Sequence, residues 1–265
     1  MTMTRRCDRN LVPAKDKAVA AIPWRLIPAC SAPGLVHMAV DHWLLEQHRR
    51  GQSLPVLRFY TWSEATISLG YHQRHWPAHW QALSLPLVRR PTGGRAVLHQ
   101  GDLTYSLISP NLPGSRQQVY RHLCQFLRQG FANLGITLDY GKPQPKAHRT
   151  ANCFALATTA DLVTPTGAKL IGSAQLRRDH SILQHGSIVL RPDRCLWTRV
   201  FGGPPTLAPL PTRLATLPWE QLQTLIIQAL CQAAETCFTS QWQVQPLTGQ
   251  EIETALEAMP ALSSP

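Results

Sequence analysis

Three short segments of the chain gather side chains that can hold an anion, leave room for a substrate or act as a nucleophile. The first is Arg89-Arg-Pro-Thr-Gly-Gly-Arg-Ala-Val-Leu-His-Gln-Gly-Asp-Leu-Thr-Tyr-Ser106. Adjacent Gly93 and Gly94 let the backbone approach a ligand closely and adopt positive φ. Arg90 and Arg95 on either side can hold an anionic group. Thr92, Ala96 and His99 complete a span dense in small, basic and hydroxyl residues. On the two glycines alone the segment is an ordinary β-hairpin with solvated arginines. The second segment is Gly167-Ala-Lys-Leu-Ile-Gly-Ser-Ala-Gln175, followed by Gln184-His-Gly-Ser-Ile188. Lys169 starts a strand whose continuation, Gly172, Ser173 and Ala174, leaves room for a substrate; His185 lies one strand on. The bland alternative for Lys169 is a solvated strand-edge lysine. The third is Asn152-Cys153-Phe154. A thiolate there is a nucleophile, although a lone cysteine is more often a small buried hydrophobe.

The elements that must hold these segments follow from periodicity and turn chemistry. Trp24–Pro28 reads as a short strand, and Ser31 with Pro33 opens a helix to about Gln47. Val56–Trp62 and Thr66–Tyr71 read as strands, and Trp76–Leu83 as a short helix behind Pro77. Leu87–Val88 and Arg95–His99 flank the glycine turn, and Thr104–Ile108 continues the extended pattern. Ser115 caps one helix that runs to Leu134 and stops at Gly135. Strands follow at Thr137–Tyr140, Cys153–Ala157, Lys169–Gln175 and Ser187–Leu190. After a proline-rich linker, Gly202 to Pro218, come a helix over Trp219–Phe238, a strand over Trp242–Gln245, and a last helix opened by the capping box Thr248-Gly-Gln-Glu251. Strands and helices mix without strict alternation, which predicts an α+β fold with a largely antiparallel or mixed sheet. The expected organisation is a flexible basic segment over residues 1–22, a catalytic domain over 23–202, and a linker with a small helical C-terminal appendage over 203–265.

Composition narrows the function. No run of 18 or more apolar residues occurs in the 265-residue chain, which argues against a membrane span. The seven cysteines are scattered and form no C-x-x-C pair, so zinc and redox motifs are poor readings and a reducing cytoplasm is the simplest setting. The formal charge of +11 is uneven. Between Leu85 and Arg128 stand six arginines against the single acid Asp102, whereas after Arg213 there are five glutamates and no Lys or Arg. Such a field suits nucleic acid or an acidic protein. The absence of helix-turn-helix, zinc-finger and RNP signatures favours the acidic protein.

Together the three segments resemble the biotin/lipoate protein ligase and lipoyl/octanoyl transferase superfamily. Arg-Arg-x-Thr-Gly-Gly-x-Ala-Val-x-His at 89–99 is similar to its signature loop, and Lys169–Gln175 to the segment that holds its lysine. His185-Gly-Ser-Ile188 resembles the next strand. The likeness runs, with gaps, from Trp24 to Leu190. It implies a central mixed β-sheet flanked by helices, related to class II aminoacyl-tRNA synthetases and biotin synthetases. Arg95 stands where ATP-using ligases usually have a third glycine, and Cys153 where they have an acid after Asn. Both features resemble the octanoyltransferase branch, whose nucleophile sits in the Cys-Phe pair. Gln100-Gly101 and Ala155–Thr159 depart from the family pattern.

The resemblance implies Cys153 and Lys169 as catalytic residues. It also implies a substrate site of Arg90, Thr92, Gly93, Gly94, Arg95, Ala96, His99, Gly172, Ser173, Ala174 and His185, with no metal and no cofactor. An octanoyl group would pass from octanoyl–acyl carrier protein to Cys153, then to a lysine of a lipoyl domain, such as the glycine cleavage H protein or a 2-oxoacid dehydrogenase E2. An apolar tunnel is expected near Val97, Leu170 and Ile171. Lys169 is the expected cation or base, and a monomer the default state. The alternatives are an ATP- and Mg-dependent lipoate–protein ligase, an amidotransferase between lipoyl domains, or a non-enzymatic acyl-binding relative.

Overall fold

A computed structural model of the protein describes residues 22–142, 161–206 and 208–259. The expected basic lead-in, apart from Ile22, and the expected strand Cys153–Ala157 lie outside the described residues. Among the described residues the main sheet has eight strands: β1 (Ile22–Ala32), β2 (Val56–Trp62), β6 (Asp102–Pro110), β7 (Asp139–Tyr140), β8 (Asp161–Val163), β9 (Lys169–Arg178), β10 (Ser181–Val189) and β11 (Ser240–Val244). Their order is β11-β1-β2-β6-β10-β9-β8-β7. The pairs β1–β11 and β1–β2 are parallel and the other five are antiparallel, so the sheet is mixed, as the sequence predicts.

Period-2 alternation sends the side chains of each strand to opposite faces. On β6, Leu103, Tyr105 and Leu107 join the main core beneath α2 (Arg116–Leu123), α3 (Gln125–Asn133) and α6 (Trp219–Phe238). On the other face Ile108 packs with Val56 and Leu183 against α1 (Gly34–Arg49) through Ala39, Val40 and Leu44. Between these apolar ends, the second face carries Asp102, Thr104 and Ser106. That run of polar positions on a buried strand is the local feature that makes a site possible.

The glycine-rich segment is not a hairpin. β4 (Leu87–Arg89) and β5 (Val97–His99) do not pair with each other. Both flank β3 (Thr66–Leu69), β4 in parallel and β5 antiparallel, to form a separate three-stranded sheet. The link between them therefore crosses over β3 and its exit at Gly70. It passes so close that a Cβ on Gly70 would stand 1.9 Å from the Gly94 carbonyl oxygen. Gly70→Ala is expected to cost about 1–3 kcal/mol through this overlap, read as a lowered urea midpoint.

Other differences have local causes. The helix expected from Ser115 to Leu134 is two helices. Ser115 caps the first in a capping box with Gln118, and the two meet at Cys124, where the backbone departs from ideal helical dihedrals with φ −90° and ψ −4°. Helix α4 (Arg194–Phe201) and the short α5 (Thr212–Ala215) occupy stretches with no predicted element; the Asp193 carboxylate caps α4 by accepting from the N–H groups of Cys195 and Leu196. A 3-10 turn covers Ala78–Leu83 behind Pro77. Residues after 203, expected as an appendage, extend the same sheet and core. β11 pairs with β1, and Leu222, Ile226 and Leu230 of α6 lie in the main core. The α7 helix (Gly249–Glu257) starts at the predicted Thr248–Glu251 box and is tied to β1 by the Arg25–Glu251 ion pair at 2.7 Å. Among the described residues no helix is long and apolar enough to cross a membrane.

Candidate active site

The second face of the sheet sets side chains in register across four strands. Tyr60 stands opposite Thr104, which stands opposite Ser187, which stands opposite Gly172; two residues along each strand, Arg58, Ser106, His185 and Ala174 form a second row on the same face. The small sheet lies over these rows. Between them is a cavity walled by Met38 of α1, Tyr60, Trp62 and Val97. Of the predicted site residues, Arg90, Gly94, His99, Gly172, Ser173, Ala174 and His185 line it.

Two imidazole–carboxylate pairs flank the cavity. His185 Nδ1 donates to Asp41 Oδ2 at 2.9 Å, and its Nε2 accepts from the Thr92 hydroxyl at 2.6 Å. Asp41 is fully buried and also accepts from Arg58 at 3.1 Å and the Tyr60 hydroxyl at 2.9 Å. Burial pushes the Asp41 carboxyl up, but the Arg58 guanidinium and the bond from His185 outweigh it and hold the group below the usual carboxylate range. In the second pair His99 Nδ1 donates to Asp102 at 2.8 Å and Nε2 accepts from the Ser68 hydroxyl at 2.9 Å. Asp102 also takes the Ser187 hydroxyl at 2.7 Å. Burial lowers the pKa of His99 despite Asp102, so the ring is neutral at pH 7. Trp62 stacks on it with ring centroids 3.7 Å apart.

His37 completes the first network. Its Nδ1 accepts from Arg58 at 3.0 Å and its Nε2–H donates to the Thr61 carbonyl at 2.9 Å. Burial and the Arg58 charge bring its pKa down to about 4. In the unfolded chain the same ring titrates near 6.5. The native state therefore gains stability from His37 above pH 6.5 and loses it as pH falls toward 4, by about 3 kcal/mol. Denaturant titrations at pH 7 and pH 4 should show this loss, and His37→Asn should lack that share of it.

Arg89 and Arg90 of the glycine-rich segment are buried rather than solvated, and Arg95 is half-buried. Arg89 gives its guanidinium to the carbonyls of Gly70, Tyr71 and Gln73, the last at 2.6 Å. Arg90 binds the carbonyls of Ser68, Gly93 and Arg95. Both side chains brace the loop, and Thr92, Gly93 and Arg95 act in it through a hydroxyl and two carbonyls; Ala96 is buried beside them. Lys169 is buried at 4% exposure, with Nζ 2.8 Å from Asp161 Oδ1. Asp161 stands opposite the lining residue Gly172 in the ladder, but neither Asp161 nor Lys169 itself lines the cavity. Val97 lines the cavity as expected, whereas Leu170 and Ile171 belong to the main core, so the apolar wall is Met38, Tyr60 and Trp62 instead. Cys153 lies outside the described residues. Sequence reasoning missed Asp41, Arg58, Tyr60, Ser68 and Asp161. The legible signals were Arg58 and Tyr60 breaking into an apolar strand at period 2, and Asp41 four residues after His37 on one helix face.

Residues 33–207 match the model of the lipoyl protein ligase A/B catalytic domain. The chain belongs to this family. Within it, octanoyltransferase LipM of Carboxydothermus hydrogenoformans is 41% identical over 178 residues, which is 64% of this chain and 66% of that protein, just under two thirds of its length. The LipM of Bacillus subtilis is 40% identical over 185 residues, again 64% of this chain and 66% of the relative. Among solved structures, Ta0514, a putative lipoate protein ligase from T. acidophilum with bound lipoic acid, superposes with a TM-score of 0.71 at 19% identity, over 89% of this chain and 94% of that one. Lipoate-protein ligase A bound with ATP gives the same score and identity, over 89% and 93%. At that identity the likeness establishes the fold of the family: a mixed sheet flanked by helices.

Proposed function

We propose that this family member is an octanoyltransferase, moving an octanoyl group from acyl carrier protein to a lysine of a lipoyl domain through a thioester on Cys153. The supporting observation is the identity of about 40% to proteins named octanoyltransferase LipM. It joins the Asn152-Cys153-Phe154 motif and the presence of Arg95 where ligases usually carry a third glycine.

In the first step the Cys153 thiolate attacks the donor carbonyl, the bond to the carrier sulfur breaks, and the carrier leaves as a thiol with the proton Cys153 gave up. In the second, the acceptor amine attacks the octanoyl-Cys153 carbonyl, the amide forms, and the cysteine departs with the amine proton. The acceptor must arrive neutral; a lysine near pKa 10.4 is about 0.1% neutral or less at pH 7, a barrier of roughly 4 kcal/mol. Lys169 was expected as cation or base. Its contact with Asp161 favours the first role: an ammonium held by a carboxylate donates a hydrogen bond to the acyl oxygen and favours a nearby thiolate. The amides around Gly93–Gly94, on a loop braced by Arg90 and by the His185–Thr92 bond, are suited to share the oxyanion.

Incubation with octanoyl–carrier protein, without ATP, is expected to add the mass of one octanoyl group in a form that hydroxylamine removes. Modification of a lipoyl domain that requires free lipoate and ATP, with no such adduct, would move the chain to the ligase class.

A further inference from the structure

From Ala65 to Gly101 the chain carries four arginines, Arg74, Arg89, Arg90 and Arg95, and no aspartate or glutamate. This stretch is the small sheet with its two outer loops, 70–76 and 91–96. The loops form one rim. The Tyr71 N–H donates to the Thr92 carbonyl at 2.9 Å, and the backbone of Gly70 presses on that of Gly94. Gly94 both lines the cavity and meets solvent, so the rim stands at the cavity mouth.

Beneath the rim Arg89 is a buried fixed charge. Its three hydrogen bonds run to carbonyls of loop 70–73, and no carboxylate among the described residues pairs with it. Arg74 is exposed on the same loop and likewise makes no ion pair with a described residue. The two are close enough that burial and the Arg74 charge together push the Arg89 guanidinium down from its ordinary value. His72 and His75 are exposed on either side of Arg74. Two neighbouring cations with no carboxylate between them make a site that an anion relieves, and the low-dielectric wall of a cleft focuses their field outward.

We infer that this rim, with Arg74 near the buried Arg89 on the loop that abuts Gly94, receives the phosphate on the phosphopantetheine arm of the acyl donor. The inference rests on the transferase reading. In such an arm the thioester and the phosphate stand at opposite ends, so a cation at the outer lip, rather than inside the cavity, matches the second while the cavity holds the first. Carboxylates on the carrier's protein surface are the competing anions.

The test compares octanoyl thioesters of phosphopantetheine and of pantetheine, which differ by one phosphate. The wild-type protein is expected to prefer the first. The ratio of the two kcat/KM values should fall about tenfold in Arg74→Gln and further in Arg74→Glu, and high salt should compress it in the wild type. An unchanged ratio in both variants overturns the inference. So does an Arg74→Glu defect seen only with the whole carrier protein, which would assign the rim to the carrier's surface, or a wild type that accepts the carrier protein but neither small thioester. A wild type acylated by none of the three donors overturns the transferase reading itself and the inference with it.

Discussion

Cys153→Ser is expected to abolish the octanoyl adduct and to lower transfer on the order of 10⁴-fold or more, as loss of a nucleophile does elsewhere. A thiol near pKa 8.5 supplies a few per cent thiolate at pH 7, whereas a hydroxyl supplies essentially none. The other cysteines furnish the controls. Burial pushes Cys124 and Cys231 up to about 12 and also raises Cys237, so at pH 7 the first two are thiolate to only about one part in 10⁵. Cys124→Ser and Cys231→Ser should therefore still form the adduct. Intact-mass measurement after a short exposure to octanoyl–carrier protein reads all three variants at once. Full transfer activity in Cys153→Ser would rule out the thioester route.

Lys169→Ala should be nearly as damaging to activity, with a second consequence for the fold. Removing the ammonium leaves the buried Asp161 carboxylate without its partner at 2.8 Å, and breaking a buried pair on one side costs about 3–5 kcal/mol. Activity and stability fall together in that variant, so it cannot separate the two roles alone. The double variant Asp161→Asn, Lys169→Met can. Apolar or neutral replacement of both partners is often close to neutral for stability, so its melting temperature should recover most of the loss. Its transfer rate should stay at least about a thousandfold down. A double variant that transfers octanoyl groups at the wild-type rate would reduce Lys169 to a structural residue.

Elements governed by local signals were legible in the sequence. The bounds of Val56–Trp62 and Trp219–Phe238 match the structure, because one is a β-rich run between turn residues and the other an apolar stripe starting behind Pro218. Thr248 and Glu251 announced their capping box. The pairing of β4 and β5 was not legible, since nothing in Leu87–His99 says that a strand from twenty residues earlier lies between them. The roles of Arg89 and Arg90 were hidden for the same reason: their partners are carbonyls, which every residue has. The site was half visible. Glycine and histidine positions stood out by type, and four of them, Gly94, His99, Gly172 and His185, do line one cavity. The carboxylate that orients His185 did not stand out, because Asp41 reaches it from a helix 144 residues earlier in the chain.

The crossing of the glycine-rich link over β3 also sets its timescale. The Arg90 N–H is bonded to the Leu69 carbonyl at one end of the crossing, and the Tyr71 N–H to the Thr92 carbonyl within it. A link sewn to one strand from both sides cannot flap like a free turn. The Arg90 amide that ties it to β3 opens to solvent only when the three-stranded sheet parts, in the slow regime of cooperative opening rather than the nanosecond regime of loop motion. The segment is therefore a fixed edge of the cavity, anchored on both sides of Gly70.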